Sequence, residues 1–99
     1  MSKYRITNKA INDLEDIWSY TVDTWSERQA DLYYEMLIGF CQHIADNPAC
    51  GRSYVDIAED LYGLIANKHI IFYRLVSQGE IEIVRILHGR MDLKSRICD

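Results

Sequence analysis

Five residues in the last third of the chain are the ones best suited to acid-base chemistry: His69, Tyr73, Arg85, His88 and Arg90. Cleavage of RNA without a metal needs a proton acceptor for the 2′-hydroxyl, a proton donor for the leaving oxygen and cations for the phosphorane, which histidine and arginine can supply. Histidines at the ends of strands, however, commonly bond to backbone groups or solvent. We therefore favour a structural role for both histidines and assign no catalytic residue.

Arg74 and Arg85 are candidates for binding rather than catalysis. A guanidinium can make bidentate bonds to a carboxylate while its stem packs on apolar neighbours, which suits a partner that carries acidic residues on an amphipathic helix. Ion pairs with Asp or Glu residues of this same chain explain the two arginines equally well. The sequence leaves both alternatives open.

Other kinds of site lack support in the sequence. The three cysteines are far apart and have neither metal-site nor disulfide-framework spacing, which favours a reducing cytoplasm. There is no Gly-rich phosphate loop, no nucleophile elbow and no stretch of membrane-spanning length. Trp18 and Trp25 fall at core spacing in a predicted helix. We expect no cofactor, no metal and no membrane contact.

The charge of the chain is unevenly distributed. The net charge of −4 gives no bulk attraction to nucleic acid. The helical half is rich in Asp and Glu, whereas the last third contains Arg74, Arg85, Arg90, Lys94 and Arg96. An anionic target would meet the C-terminal end.

A β-hairpin from Lys68 to Arg90 is predicted to position these residues. Its Gln78-Gly79 centre is a turn signal, because glycine readily adopts the positive φ of a two-residue hairpin loop. Pairing Ser77 with Glu80 sets the register and places His69 opposite His88. One predicted face carries Ile71, Tyr73 and Leu75 against Glu82, Val84 and Ile86, and the other carries Ile70, Phe72, Arg74 and Val76 against Ile81, Ile83, Arg85 and Leu87.

Both predicted faces of this hairpin are apolar, although an antiparallel sheet in a monomer usually shows water one polar face. The 99 residues make one domain, 1–99, which is too small for two cores. The face with Arg74 and Arg85 is expected to be open, because two guanidinium groups are costly to bury without partners. We expect a partner protein to cover it.

The first half of the chain predicts a short strand, Tyr4 to Thr7, and two helices. Thr7 or Asn8 can cap the first helix, and Ser26 to Gln29 matches a capping box for the second. The second helix ends at Asn47-Pro48 because proline cannot continue the hydrogen-bond ladder. Apolar stripes at helical spacing mark both helices: Ala10, Ile11, Leu14, Ile17, Trp18, Thr21 and Trp25, then Ala30, Tyr33, Met36, Leu37, Phe40, Cys41 and Ile44.

The order of these elements indicates an α+β fold. After the helices, Ser53 to Ile57 is expected to be a short strand or extended segment, Leu61 to Asn67 a strand and Met91 to Ile97 a last helical turn. We predict that the N-terminal strand and an antiparallel two-helix hairpin pack on one face of a small antiparallel β-sheet.

Several short motifs are spread along the chain: Tyr4-Arg5-Ile6-Thr7, Ala10, Asp13-Leu14, Ile17, Gln29-Ala30, Tyr33, Pro48, Gly51-Arg52, His69 to Arg74 and Ile83 to Asp92. Together they resemble the ParE branch of the RelE/ParE toxin superfamily. The resemblance implies the RelE/ParE-like fold and a toxin of a type II toxin-antitoxin module, held inactive in a hetero-oligomer by a ParD-like antitoxin whose C-terminal segment wraps the toxin. It also implies DNA gyrase as the target and contact with operator DNA only through the antitoxin.

The ribonuclease branch of the same superfamily supplies the main alternative, a ribosome-dependent messenger RNA endonuclease. Its two arginines and C-terminal tyrosine align with Ile70, Arg90 and the neighbourhood of Arg96, so that one of the three is present. An acidic net charge also opposes docking on an anionic ribosome. We therefore expect no enzymatic activity. A toxin-derived module that only binds its antitoxin is a third hypothesis.

Two binding surfaces follow from the hairpin and the resemblance. We expect the target to contact the basic C-terminal segment, at His88, Arg90, Met91, Lys94 and Arg96. We expect the antitoxin on the open hairpin face, with apolar anchors on Ile70, Phe72, Ile81, Ile83 and Leu87 and with acidic residues on Arg74 and Arg85.

Overall fold

The computed structural model describes residues 3–77 and 79–98. Its elements, in chain order, are β1 (Lys3–Ile6), α1 (Asn8–Thr24), α2 (Glu27–Asp46), a 3-10 turn (Pro48–Cys50), β2 (Arg52–Ser53), β3 (Tyr62–Ala66), β4 (His69–Ser77), β5 (Glu80–His88) and α3 (Leu93–Cys98).

The strands form one sheet in the order β1-β5-β4-β3-β2. The strand β1 runs parallel to β5, and the other neighbouring strands are antiparallel. The helix pair α1 and α2 covers one face. The α+β prediction is confirmed, but the sheet is mixed rather than antiparallel because β1 joins the far edge of the hairpin. The predicted strand from Ser53 to Ile57 is reduced to β2, and turns follow it.

The helix boundaries follow the predicted capping residues. The Thr7 hydroxyl accepts a hydrogen bond from the Ala10 N–H at 3.1 Å, and the Ser26 hydroxyl accepts one from the Gln29 N–H at 3.0 Å. Each satisfies a donor that the first turn leaves free. The prediction that Trp25 belongs to the apolar stripe of α1 is wrong. The helix ends at Thr24, so Trp25 is its C-terminal cap and is 73% exposed.

The β4–β5 hairpin contains two register shifts that the predicted pairing missed. Ser77 pairs with Glu80 and His69 with His88, as predicted, and Gly79 has a φ of 77°. Gln78 of the predicted turn lies outside the described residues. Between these ends, Tyr73 pairs with Ile83 and Leu75 with Ile81, because Val84 and Val76 are extra residues on their strands. Each extra residue reverses the facing of the side chains that follow it.

These shifts place Ile81 and Ile83 under the helices rather than on the opposite face. The main core combines hairpin residues with residues of α1 and α2: Ile71, Tyr73, Ile81, Ile83 and Ile86 with Leu14, Leu37, Cys41 and Ile44. The same shifts pair Glu82 with Arg74 instead of Leu75. Half of the second face of the hairpin is therefore polar, as expected of a sheet in a monomer.

The apolar half of the second face is covered by the chain itself. Ile70, Phe72 and Leu87 are buried there together with Leu61. The cover consists of the segment 54–61 and α3, through Tyr54, Ile57, Ala58, Leu93 and Ile97. The prediction of an open apolar face is therefore wrong. The prediction failed because the alternation of apolar residues in the sequence indicates neither the two extra residues in the strands nor the burial of this face by α3 and the segment 54–61.

Candidate functional site

Arg85 is held by a bidentate ion pair with Asp13 of α1. The guanidinium donates from Nε to Oδ2 at 2.8 Å and from Nη2 to Oδ1 at 2.9 Å. The two side chains are only 15% and 12% exposed. Hydrogen bonding to Asp13 raises the pKa of Arg85 above its ordinary value, against the opposing effect of burial. Such fork-to-carboxylate geometry gives strong, orientation-specific pairing.

The same pair joins three elements of the fold. Asp13 also accepts a hydrogen bond from the backbone N–H of Ile86 at 3.0 Å, at the edge of β5 beyond the end of β1. The Arg85 Nη1 donates to the backbone oxygen of Arg96 in α3 at 2.8 Å. Arg85 therefore ties α1, β5 and α3 together. Of the two alternatives that the sequence left open, the intramolecular ion pair is the one found.

Arg74 also has an intramolecular partner, but an exposed one. Its Nε lies 3.2 Å from Glu82 Oε1 across the hairpin, and the side chains are 52% and 24% exposed. Exposed pairs of this kind contribute little to stability. Arg74 therefore stays accessible to a partner, whereas Arg85 does not.

His69 and His88 meet at the end of the hairpin, as the predicted register requires. Their ring centroids are 5.3 Å apart in an edge-to-face arrangement. The Nδ1 of His69 lies 2.6 Å from the hydroxyl of Tyr33 in α2, and the Nδ1 of His88 accepts the backbone N–H of Arg90 at 3.1 Å. The Nδ1 of His69 is therefore engaged in a contact that connects β4 to α2, and the Nδ1 of His88 is engaged in a local contact in the turn after β5.

The surroundings of His69 and Tyr33 keep these two groups uncharged near neutral pH. Burial, helped by the neighbouring His88, lowers the pKa of His69 to about 4, although Asp13 acts in the opposite direction. Burial also raises the pKa of Tyr33 above its ordinary value. A neutral His69 that shares a hydrogen bond with the Tyr33 hydroxyl suits a structural contact. The chemistry of a general acid and base would require a histidine that titrates near neutral pH.

The predicted target-binding residues are brought together at the end of β5 and around α3. Arg90, Met91, Lys94 and Arg96 are exposed there, and His88 is half-buried. The backbone N–H of Ser95 bonds to the Asp92 carboxylate at 3.3 Å at the start of α3. We call this stretch of the chain, Arg90 to Arg96, the C-terminal basic segment.

The predicted antitoxin-binding residues are not brought together on one accessible face. Ile81 and Ile83 lie under the helices, and Ile70, Phe72 and Leu87 are buried beneath α3 and the segment 54–61. Arg85 is bound to Asp13, and only Arg74 is exposed. Binding of an antitoxin at the five apolar residues would require this cover to move, so the assignment stays a prediction.

Two residues of these contacts escaped the sequence reasoning. Asp13 and Tyr33 bond to partners that are 72 and 36 residues away in the chain. The available signal for Asp13 was a carboxylate beside the buried Leu14, on the flank of the apolar stripe. Tyr33 was named in the apolar stripe of α2 and among the motifs of the resemblance, but no polar contact was predicted for it.

Neither a cluster of metal-binding side chains nor a reactive thiol at Cys41 is found among the described residues. No group of three or more potential metal-binding side chains occurs within residues 3–77 and 79–98. Burial raises the pKa of the Cys41 thiol to about 12, which keeps it protonated and unreactive. No helix in this part of the chain is long and apolar enough to cross a membrane.

Known proteins resemble this chain over almost its entire length. Residues 4–93 match the family described as ParE toxin of type II toxin-antitoxin system, parDE. Toxin ParE1 of Mycobacterium tuberculosis is 38% identical over 92 residues, which is 93% of this chain and 94% of that protein. Toxin ParE1 of Caulobacter vibrioides is 30% identical over 97 residues, covering 98% and 99% of the two chains.

The fold has a matching solved structure, titled "Chromosomal ParDE TA system from P. aeruginosa". It superposes with a TM-score of 0.77 and covers 89% of this chain and 96% of that chain. At 19% sequence identity this similarity supports the fold alone. The family match and the two ParE1 relatives together show that the chain belongs to the ParE toxins of parDE type II toxin-antitoxin systems.

Proposed function

We propose that this toxin inhibits DNA gyrase by binding, without catalysis of its own, and that a ParD-like antitoxin neutralises it. Membership in the ParE family supports this proposal. The cytoplasm, where gyrase and its DNA are found, is the proposed site of action. Contact with operator DNA is proposed to occur only through the antitoxin.

The contacts, charge and burial of the candidate catalytic residues favour binding over RNA cleavage. Arg85 is bound to Asp13, His69 is neutral and bonded to Tyr33, and Ile70 is buried where ribonuclease relatives would carry arginine. The C-terminal basic segment carries three exposed cations, Arg90, Lys94 and Arg96. Exposed cations around one short helix suit contact with a macromolecule.

Two parallel assays test this proposal with the purified chain: gyrase supercoiling and ribosome-primed cleavage of messenger RNA. We expect loss of supercoiling while the message stays intact. Site-specific cleavage of the message would contradict the proposal in favour of the ribonuclease alternative. Inactivity in both assays would favour a module that only binds its antitoxin.

Matched charge reversals test the contact surface. Arg90→Glu and Lys94→Glu should each weaken gyrase inhibition about tenfold or more, because like charges across an interface are repulsive. Arg28→Glu is the control, since Arg28 is exposed on α2, outside this segment. Equal effects of Arg28→Glu and Arg90→Glu would remove the C-terminal basic segment from the proposed interface.

A further inference from the structure

The short helix α3 depends on contacts with the rest of the molecule. It has six residues, and a helix of this length is unstable in water without tertiary contacts. Leu93 and Ile97, one helical turn apart, pack on the buried cluster of the second sheet face. At the other end of the helix, the backbone oxygen of Arg96 accepts the hydrogen bond from Arg85 Nη1 at 2.8 Å. Arg85 therefore holds α3 together with this apolar packing.

Arg85 binds a carbonyl group that the helix itself leaves without a partner. Arg96 is among the last four residues of α3, and the carbonyls of the last four residues of a helix have no N–H partner within the helix. A hydrogen bond from a charged donor is shorter and stronger than one from a neutral donor. The position of the guanidinium therefore influences the position of α3.

Asp13 fixes the direction in which the Arg85 guanidinium points. Its two carboxylate oxygens bind Nε and Nη2, and Nη1 is the nitrogen that reaches α3. Because the guanidinium is planar and rigid, holding two of its nitrogens sets the position of the third. Asp13 also balances the charge of Arg85, whose side chain is only 15% exposed. Arg85 is therefore poorly placed to contact a target protein itself.

We propose that Arg85 is a positioning residue for target binding: oriented by Asp13, it sets the placement of α3 and, with it, of the C-terminal basic segment. Lys94 and Arg96 are exposed on α3, so a displacement of this helix displaces their charges. Complementary charges contribute to an interface only where they face each other, and a displaced cation loses its partner. This inference rests on the proposed inhibition of gyrase through the C-terminal basic segment.

Asp13→Asn separates positioning from direct contact between Arg85 and the target. The variant keeps the charge of Arg85 and removes the carboxylate that orients it. Positioning predicts that inhibition of gyrase supercoiling weakens about fivefold or more. If Arg85 itself contacted the target, losing its counter-charge would leave inhibition unchanged or strengthen it. Unchanged or stronger inhibition by an Asp13→Asn variant that is folded, as judged by circular dichroism, would overturn the inference.

Glu80→Gln is the matched control for Asp13→Asn. It makes the same change of a carboxylate to an amide on β5, where Glu80 Oε1 lies 3.7 Å from Arg5 Nε in a more exposed pair. Neither residue contacts α3 in the described structure. Glu80→Gln should change inhibition less than about twofold, because exposed pairs contribute little. Equal weakening by both variants would contradict a specific role for Asp13.

Arg85→Lys tests the geometry of the guanidinium while the positive charge is kept. A single ammonium group cannot reproduce the bidentate pair with Asp13 together with the bond to Arg96, so inhibition should weaken about fivefold or more. A double-mutant cycle with Lys94→Glu shows whether Arg85 acts through α3. In that background Arg85→Lys should weaken inhibition by a smaller factor than in the wild type. Equal factors in the two backgrounds would contradict positioning.

The order of α3 supplies a readout that a general loss of stability would not change. In folded Arg85→Lys, the backbone order parameters of Leu93–Cys98, measured by NMR relaxation, should fall from about 0.85 to below about 0.6. Those of β4 and β5 should stay near the wild-type values. If α3 keeps both its order and its chemical shifts in this variant, Arg85 does not position it and the inference is wrong.

Failure of the proposed function gives a different result from failure of this inference. If the wild-type chain does not inhibit gyrase, the proposed function fails and the inference fails with it. If the wild type inhibits gyrase and the folded variants Asp13→Asn and Arg85→Lys inhibit it equally well, only the inference fails.

Discussion

At the scale of single residues, two contacts between distant parts of the chain organise the candidate site. The Arg85–Asp13 pair connects α1, β5 and α3, and the Tyr33–His69 contact connects α2 to the start of β4. In each contact, at least one polar or charged side chain is largely shielded from water. Removing one partner therefore leaves a polar or charged group that water compensates poorly.

Asp13→Asn should reduce the free energy of unfolding by about 2 kcal/mol, because it leaves a poorly exposed guanidinium without its counter-charge. Urea unfolding measures this. Glu82→Gln is the control: it removes the charge that faces the exposed Arg74 and should cost less than about 0.5 kcal/mol. Equal losses for the two variants would contradict the structural importance of the Arg85–Asp13 pair.

His69 should make stability depend on pH. Burial lowers its pKa from 6.5 to about 4, so the unfolded chain binds this proton more tightly than the folded protein. Its contribution is complete above pH 6.5 and is lost as the pH falls from there to about 4. Because the ring is partly exposed, we expect a loss of about 1 kcal/mol by about pH 5.

The variant His69→Asn isolates this effect in urea unfolding. Asparagine can place an acceptor near the position of Nδ1 but does not titrate, so stability should fall less between neutral pH and about pH 5. Groups distant from His69 contribute equally to both proteins, so the difference between the two stability curves reports this end of the hairpin. Parallel stability curves for the variant and the wild type would show that His69 does not carry the dependence.

At the scale of elements, the segment 54–61 covers the sheet through one close approach to β3. A Cβ at Gly63 would lie 2.7 Å from Cε2 of the Tyr54 ring and 3.1 Å from Cγ2 of Ile70. That ring meets Phe72 edge-on at 5.1 Å between centroids, and the Arg52 guanidinium lies 4.8 Å from the ring centroid on its face. Glycine at position 63 therefore allows an aromatic ring to lie directly on the strand.

Gly63→Ala should lower the free energy of unfolding by about 1–3 kcal/mol, because the new methyl displaces Tyr54. The near-ultraviolet circular dichroism should change as the ring moves. Gly39→Ala is the matched control, since nothing lies within 4 Å of its Cβ position in α2. It should instead stabilise the protein by about 0.5–1 kcal/mol through helix propensity. A neutral Gly63→Ala would contradict the described packing of Tyr54.

At the scale of the whole molecule, the chain buries apolar residues on both faces of one small sheet. The helix pair covers one face, and α3 with the segment 54–61 covers the apolar half of the other. The remaining half carries charged residues such as Arg74 and Glu82. The free toxin is therefore expected to fold without its antitoxin and without a large exposed apolar face.

Phe72→Asp tests the cover on the second face. Phe72 is fully buried, so a carboxylate there should cost several kcal/mol, about as much as the whole stability of a small domain, and unfold the chain. Leu75→Asp lies on the same strand, where the native side chain is 54% exposed, and should stay folded. Far-ultraviolet circular dichroism and binding of an apolar dye measure both. If Phe72→Asp stays folded, the result would contradict the cover on this face and support the prediction of an open hairpin face.

Local sequence patterns correctly predicted the features that depend on interactions between residues close together in the chain. Thr7 and Ser26 cap the helices as predicted, because a capping bond spans three residues, and the two ends of the hairpin pair as predicted because Ser77 and Glu80 flank its turn. The basic character of the segment after β5 also follows from composition alone. The fold class followed from the order of these elements, without any knowledge of long-range contacts.

Only the tertiary structure decided which apolar residues are accessible. Nothing in the sequence around Val76 or Val84 marks either one as an extra residue in its strand, because the shifts are favoured by packing Ile81 and Ile83 beneath helices that come much earlier in the chain. The partner of Arg85 is likewise 72 residues away. Burial and ion pairing depend on which distant surfaces meet, and this is why the burial of the hairpin's apolar residues could not be predicted from the sequence.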